Sequence, residues 1–310
     1  MQDCRLWAVG YNYGKQMSKI IHVAVGSTMS MPGDLPGNLR QIQDFASKAK
    51  RDGANLLLTP ELSASGYGGY PEVLAAAEPA GKGPIYDALA GFAKDSGAVI
   101  CAGFVESDAD KRYLAHYVVY PNGEFVVQRK YRRTPAEMPL DAAVELVPES
   151  ADDKLGQPAE AKFNYFNVNG VKCGLVICAD TGIPNLCEKF AADGVELMLV
   201  PTGAGGKRED CFTDVELTRE EGREGYLKIM QQVFFPGKGI TDCIKYRRGL
   251  AAVNLCGFDG HKHYHRGHGM IINAVGEVAG FFHGQPNLDR QRPMYAHAII
   301  DLADTIGGDD

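Results

Sequence analysis

Apolar and polar positions along the chain follow two periods. Short runs dominated by Leu, Ile, Val and Ala recur at Ile20 to Val25, Ala54 to Pro60, Ala98 to Val105, Ala115 to Tyr120, Gly123 to Arg129, Val171 to Ile177 and Glu196 to Val200. Four more follow in the last third, at Leu250 to Leu255, Gly269 to Asn273, Val278 to Phe282 and His297 to Leu302. Their length and branched content predict strands. Between them a helical period appears. Leu39, Ile42, Phe45, Ala46 and Ala49 share one face of a helix over Asn38 to Arg51, with Gly53 as its stop. Further helices are expected over 84–95, about Pro184 to Asp193 and about Arg223 to Phe234. Pro121-Asn122-Gly123, between two strand-like runs, predicts a hairpin with Asn-Gly in a type I′ turn. This alternation fits two layers of strands covered by helices better than a barrel.

Composition narrows the class without naming it. A chain of 310 residues, 45% of them hydrophobic, can bury a large core. With no linker-like shift in composition, we expect one domain over 20–303, preceded by a leader at 1–19 that carries the only tryptophan, Trp7, and followed by a tail at 304–310. Residues 203–245 are polar and Gly-punctuated and form a long excursion within that domain; 134–160 reads as an irregular loop. The formal net charge of -7 argues against a nucleic-acid partner. No apolar stretch approaches the roughly 18 residues of a membrane span, and the first residues lack the apolar centre of a signal peptide. Eight cysteines, at 4, 101, 173, 178, 187, 211, 243 and 256, include no Cys-x-x-Cys pair. Free thiols in a reducing, cytoplasmic setting are therefore expected, with Cys101 and Cys173 as small core residues.

Three of the strand-like runs end on polar residues with complementary chemistry. Glu61 follows Leu56-Leu57-Leu58-Thr59-Pro60, Lys130 follows Val126-Val127-Gln128-Arg129, and Cys178 follows Leu175-Val176-Ile177. Alone, each has an ordinary role: a capping glutamate, a solvated edge lysine, a core cysteine. Strand ends converge on one rim of a sheet, however, and a carboxylate, an ammonium and a thiol meeting there supply base, charge stabiliser and nucleophile. A cysteine between a strand and a helix stands on a tight turn with free backbone N–H groups, and a helix N-terminus would lower its pKa.

With these residues in order, the chain resembles the nitrilase or carbon–nitrogen hydrolase superfamily from about Lys19 to Leu302. The likeness rests on Pro60-Glu61, Arg129-Lys130, Cys178-Ala179-Asp180 with Pro184, the run from Gly194 to Pro201, and Ala252 to Gly257. Gly257-Phe258-Asp259-Gly260 and Gly267-His268-Gly269 are similar to the aliphatic amidase and formamidase branch. The resemblance implies an α/β fold, a four-layer α-β-β-α sandwich of two mostly six-stranded sheets. It also implies a second glutamate near the site, for which Glu137 in Thr134-Pro135-Ala136-Glu137 is the candidate and Glu145 the fallback.

The implied mechanism makes Glu61 the base, Cys178 the nucleophile, and Lys130 with the backbone N–H of Ala179 the oxyanion donors, with no metal or organic cofactor. The substrate would be a small linear amide, and a homodimer or larger homo-oligomer is implied. Ala179 and Asn185 depart from the residues that relatives often carry there, and Cys178-Ala179-Asp180 argues for amide over nitrile hydrolysis. An N-carbamoyl amide hydrolase or a nitrilase using the same three groups is the alternative within the chemistry. Outside it stand a non-catalytic scaffold and a metal protein built on His261, His263, His265 and His268, whose segment otherwise reads as a polar loop before a strand at Gly269.

Overall fold

The computed structural model describes residues 19–148, 154–233 and 237–303. The expected leader (apart from Lys19), Trp7, Cys4, Phe234 and the tail lie outside the described residues. The chain opens with β1 (Ile20–Ser27), α1 (Leu35–Asp52), β2 (Leu56–Leu58), the short α2 (Pro71–Ala75) and α3 (Pro84–Ser96). Then come β3 (Val99–Asp108), β4 (Lys111–Val119), β5 (Phe125–Arg129), the two-stranded ladder β6 (Leu146–Val147) and β7 (Gln157–Pro158), β8 (Phe166–Val168) and β9 (Val171–Leu175). After α4 (Leu186–Ala192) follow β10 (Leu197–Thr202), β11 (Gly205–Gly206), α5 (Glu220–Val233) and α6 (Gly237–Tyr246). The last third is β12 (Gly249–Phe258), β13 (Tyr264–Ile272), β14 (Val278–Phe282) and β15 (Met294–Asp301).

Among the described residues the strands form a six-stranded sheet in the order β15-β1-β2-β3-β4-β5 and a seven-stranded sheet in the order β11-β13-β12-β10-β9-β8, with β14 on β13. Period-two alternation sends one set of side chains between the sheets and the other outward. In β2, Leu56 and Leu58 point to the central core with Leu197, Leu199, Val253 and Ile271 of the opposite sheet. Leu57, between them, packs outward with Ile42 and Phe45 of α1 and Ile85 and Leu89 of α3. On the far face of the second sheet, Met198, Val200 and Ala252 bury Leu186 and Phe190 of α4. The layers are therefore α-β-β-α. No helix among the described residues is long and apolar enough to cross a membrane.

Local signals explain the outer helices. Asp34 caps α1 by accepting from Gly37 N at 3.0 Å, and Gly53 closes it at φ 74. Three local expectations need correction. The hairpin at Pro121 cannot be type I′, because proline occupies its first central position and fixes φ near −65° where +60° is needed. Gly123 N instead bonds to Tyr120 O, and the positive φ falls on Gly123 itself (φ 87). The segment before Gly269 is a loop only as far as His263, since β13 begins at Tyr264 and pairs His265 with Gly257 and His268 with Asn254 of the long β12. The 203–245 excursion contains a second helix, α6, whose Cys243 packs with the α4 layer.

Parallel pairing of β1 with β2 and β2 with β3, and of β9 with β10 and β10 with β12, aims their carboxyl ends at one rim. There the chain after β2 passes directly over β3. A Cβ on Gly103 would stand 2.1 Å from Leu62 N, so only glycine admits this crossing. Gly103→Ala is expected to lower stability by about 1–3 kcal/mol through overpacking. Gly91→Ala, at an exposed α3 site with nothing within 4 Å of the new methyl, should be neutral or stabilising. Urea denaturation of both variants checks this, and an undisturbed Gly103→Ala protein would refute the close crossing.

Candidate active site

Four polar groups meet at that rim. Lys130, one residue beyond β5 and buried, donates from Nζ to Glu61 Oε1 at 2.7 Å and to Glu137 Oε1 at 2.6 Å, with all three side chains fully buried. Glu61 lies in the turn after β2, held by the neighbouring αL residue Leu62 (φ 53). Glu137 ends a single 3-10 turn, Pro135–Glu137, where its Oε2 accepts from Thr134 N at 2.9 Å in a capping box. Cys178 sits in the strained αL conformation (φ 49) at the start of the 3-10 turn Cys178–Gly182, half-buried beside Glu61. Residues from the two sheets thus converge: Glu61 and Lys130 from the first, Cys178 from the second. Glu145, the fallback for Glu137, is exposed instead.

Electrostatics follow from this burial. Loss of water raises the Glu61 carboxyl to about 7; Lys130 opposes the shift and Glu137 adds to it. Burial alone would push the Lys130 ammonium down, but Glu61 and Glu137 outweigh it and hold it well above the usual lysine range. Oε2 of Glu61 has no conventional hydrogen bond, and the weak donor acting on that carboxylate is the Cys178 thiol. The thiol itself is pushed well above its ordinary range by burial and by the Glu61 charge, against Lys130 and a backbone N–H from Gly203. The expected lowering by a helix N-terminus does not occur. Residues 178–182 form a 3-10 turn, and α4 starts only at Leu186.

Several contributors were not assigned from the sequence. Asp180 is buried and ties the two sheets together, accepting from Tyr131 N at 3.1 Å and Arg132 N at 2.7 Å just beyond Lys130. Tyr67 donates to Glu137 Oε1 at 3.0 Å. Gly203 leaves room between them, since a Cβ there would meet the Tyr67 ring at 2.4 Å and Glu61 Oε2 at 2.9 Å. The run Ser63 to Gly69 and the Cys-Ala-Asp triplet pointed to Tyr67 and Asp180 only by proximity, because their partners lie far away in sequence.

Three of the four histidines cluster on Tyr67 and Tyr70, each with its own contacts. His261 stacks on Tyr70 and bonds to Glu72, His263 bonds to Asp259 at 2.8 Å, and His265 is buried edge-on to Tyr67. Among the described residues, no group of three or more His, Cys, Asp or Glu side chains is placed to hold a metal. A separate cavity of about 350 Å³ lies behind the Cys178 turn, lined by Thr181, Leu186, Met198, Cys243 and Leu250. None of the four clustered groups faces it.

Comparison with known proteins places this geometry. The family model described as carbon-nitrogen hydrolase matches residues 22–215. The protein named "Hydrolase in pqqF 5'region" from Pseudomonas protegens is 31% identical over 185 residues, covering 59% of this chain and 60% of its own length. The protein named "Nitrilase" from Pyrococcus abyssi is 27% identical over 187 residues, covering 60% and 64%. The matches therefore span about three fifths of these curated relatives. Among solved structures, the amidase from Nesterenkonia sp. AN1 carrying the acetamide moiety of fluoroacetamide at its active-site cysteine superposes with a TM-score of 0.63. It is 21% identical and the alignment covers 93% of this chain and 92% of that one, a likeness of fold.

Asp180 is raised to about 7 by burial, against Lys130 and the two backbone donors. Between about pH 4 and 7 the folded protein therefore keeps protons on Asp180 and Glu61 that the unfolded chain releases, and stability falls as pH rises through that window. Asp180→Asn removes one of these titrations. Its urea midpoint should decline less steeply over that range than the wild-type midpoint, and equal slopes would refute the raised carboxyl.

Proposed function

The chain belongs to the carbon–nitrogen hydrolase family, and from that premise we propose that it is a cysteine-dependent amidohydrolase acting on small linear amides. The observation that carries this reading is the buried Glu61–Lys130–Glu137 ion cluster set against the Cys178 turn. An ammonium and two carboxylates fully out of water are costly to assemble, and a purely structural role offers no use for the adjacent thiol.

The thiol rests neutral, so attack and deprotonation run together. Glu61, whose carboxyl lies near 7, takes the Cys178 proton as sulfur bonds to the amide carbonyl carbon. The carbonyl π pair moves to oxygen, where Lys130 Nζ and the Ala179 N–H receive it. Such donors are worth roughly 3–4 kcal/mol each when aimed at developing charge. Collapse of the tetrahedral intermediate breaks the C–N bond, and the Glu61 proton leaves on ammonia or the amine. Water, deprotonated by Glu61, then attacks the thioester and releases the acid and the thiol. Glu137 and Tyr67 hold Lys130 from the side opposite Glu61.

Two outcomes are expected. Purified protein releases ammonia from a panel of short aliphatic amides and forms an acyl-enzyme detectable by intact mass, whereas Cys178→Ala does neither; equal inactivity of both proteins across amides, nitriles and N-carbamoyl compounds would overturn the assignment. Because Glu61 must be ionised to accept the proton, kcat/KM should fall on the acid side with an apparent pKa near 7, a value belonging to the ion cluster rather than to one residue. An acid limb near 4.5, the value of an ordinary glutamate, would exclude Glu61 as the base.

A further inference from the structure

We propose that Thr181 is a positioning residue that aims the oxyanion donor of this site, an inference that rests on the amidohydrolase reading and extends it. Thr181 Oγ1 donates to the carbonyl oxygen of Cys178 at 2.8 Å. That carbonyl belongs to the same planar peptide unit as the Ala179 N–H, and in a trans peptide the two point in opposite directions. Holding one therefore aims the other. Thr181 lines the cavity behind the turn, whereas Glu61, Lys130 and Glu137 do not, so the bond draws the carbonyl to that side and turns the Ala179 N–H to the opposite one.

The need for such a strut comes from the backbone. Cys178 has φ 49, a conformation in which a residue with a side chain is strained, and it opens only a short 3-10 turn, Cys178–Gly182, rather than a full helix. The next peptide is fixed separately. Arg132 Nη1 donates to Ala179 O at 2.9 Å, and its guanidinium fits there only because residue 182 is glycine, whose Cβ would stand 2.1 Å from that nitrogen. Asp180 in return accepts the Arg132 N–H at 2.7 Å. Residues 179 and 180 are thus clamped to the strand end that carries Lys130. Thr181 does the same for the peptide whose N–H is the proposed oxyanion donor.

Threonine hydroxyls often bond back to a carbonyl three residues earlier with no role beyond local structure. The test must therefore separate aiming of the donor from integrity of the turn. Thr181→Val keeps the shape and removes the hydroxyl, Thr181→Ser keeps the hydroxyl, and Thr181→Ala serves if the valine variant does not fold. Two reactions of Cys178 are compared in each protein. Alkylation by iodoacetamide displaces iodide at a saturated carbon and forms no oxyanion. Acylation by p-nitrophenyl acetate, read as a burst of nitrophenolate, does form one.

Thr181→Val should lower the acylation rate and the kcat for any hydrolysed amide by about 10- to 100-fold, with KM little changed. Its alkylation rate should match wild type, and Thr181→Ser should restore acylation. Wild-type acylation in Thr181→Val, or a parallel loss of alkylation and acylation, would overturn the proposal. A wild-type protein that acylates with the aryl ester but hydrolyses no amide would sink the amidohydrolase reading and leave this comparison decisive for Thr181.

Discussion

The buried ammonium of Lys130 is the constraint from which the site follows. Removing a charged group from water costs several kcal/mol even after relaxation, and only well-placed opposite charges offset it. Here both partners are buried carboxylates at 2.7 and 2.6 Å, from separate elements of the chain. Burial is the main reason the Glu61 carboxyl lies near 7; Lys130 opposes it, and the second carboxylate of Glu137 adds to it, since one cation faces two carboxyls. The same effects bear on sulfur. Burial disfavours a thiolate at Cys178, and the Glu61 charge beside it adds to that, so the thiol form is favoured.

This arrangement sets limits on the backbone. Glu61 can reach Lys130 only if the chain after β2 runs close over β3, and two glycines leave the room: Gly103 for the backbone at Leu62, and Gly203, just past β10, for the side chains of Tyr67 and Glu61. Neither needs glycine for a left-handed φ; both need it for the missing Cβ. The sheets must also hold a fixed offset, since the nucleophile rides on one and the base and ammonium on the other. Close packing of Leu56, Leu58, Leu197, Leu199 and Val253 between the layers supplies most of that rigidity. Asp180 and Arg132 add a directional tie at the rim: the Asp180 carboxylate accepts from the Arg132 N–H, and the Arg132 guanidinium donates to the neighbouring Ala179 carbonyl.

Much of this was legible in the chain because it is written locally. Short apolar runs marked the strands, and their ends marked Glu61, Lys130 and Cys178. Glu137 came from its place after Lys130 in a loop like that of related enzymes, and its capping box with Thr134 gives a local reason for the turn that presents it. What stayed hidden depends on contacts between distant segments. Asp180 bonds residues nearly fifty positions away, and Tyr67 reaches Glu137 across seventy. The His-rich segment misled for the same reason: as a string it mimics a ligand set or a loop, and only pairing with β12 shows it to be mostly strand. The sign of the thiol shift was also inaccessible, because the expected helix starts only at Leu186, beyond an intervening 3-10 turn, and the neighbouring carboxylates were not yet in view.

A neutral resting thiol changes where the catalytic power has to come from. A preformed thiolate would attack without help, and the oxyanion site would then need only to stabilise the product of attack. With sulfur protonated, proton removal and charge development on the carbonyl oxygen occur in one step, so base and oxyanion donors must be correctly placed at the same instant. Lys130 links the two demands, since its Nζ bonds the base directly and is itself a proposed donor to the oxyanion. In the proposed mechanism Glu61 loses its charge as it gains the proton, and the new charge on the carbonyl oxygen takes its place beside the ammonium. Glu137, 2.6 Å from Lys130 Nζ, is the ammonium's other partner. On that reading the reaction moves a negative charge around a fixed cation, and the fold has to keep that cation still.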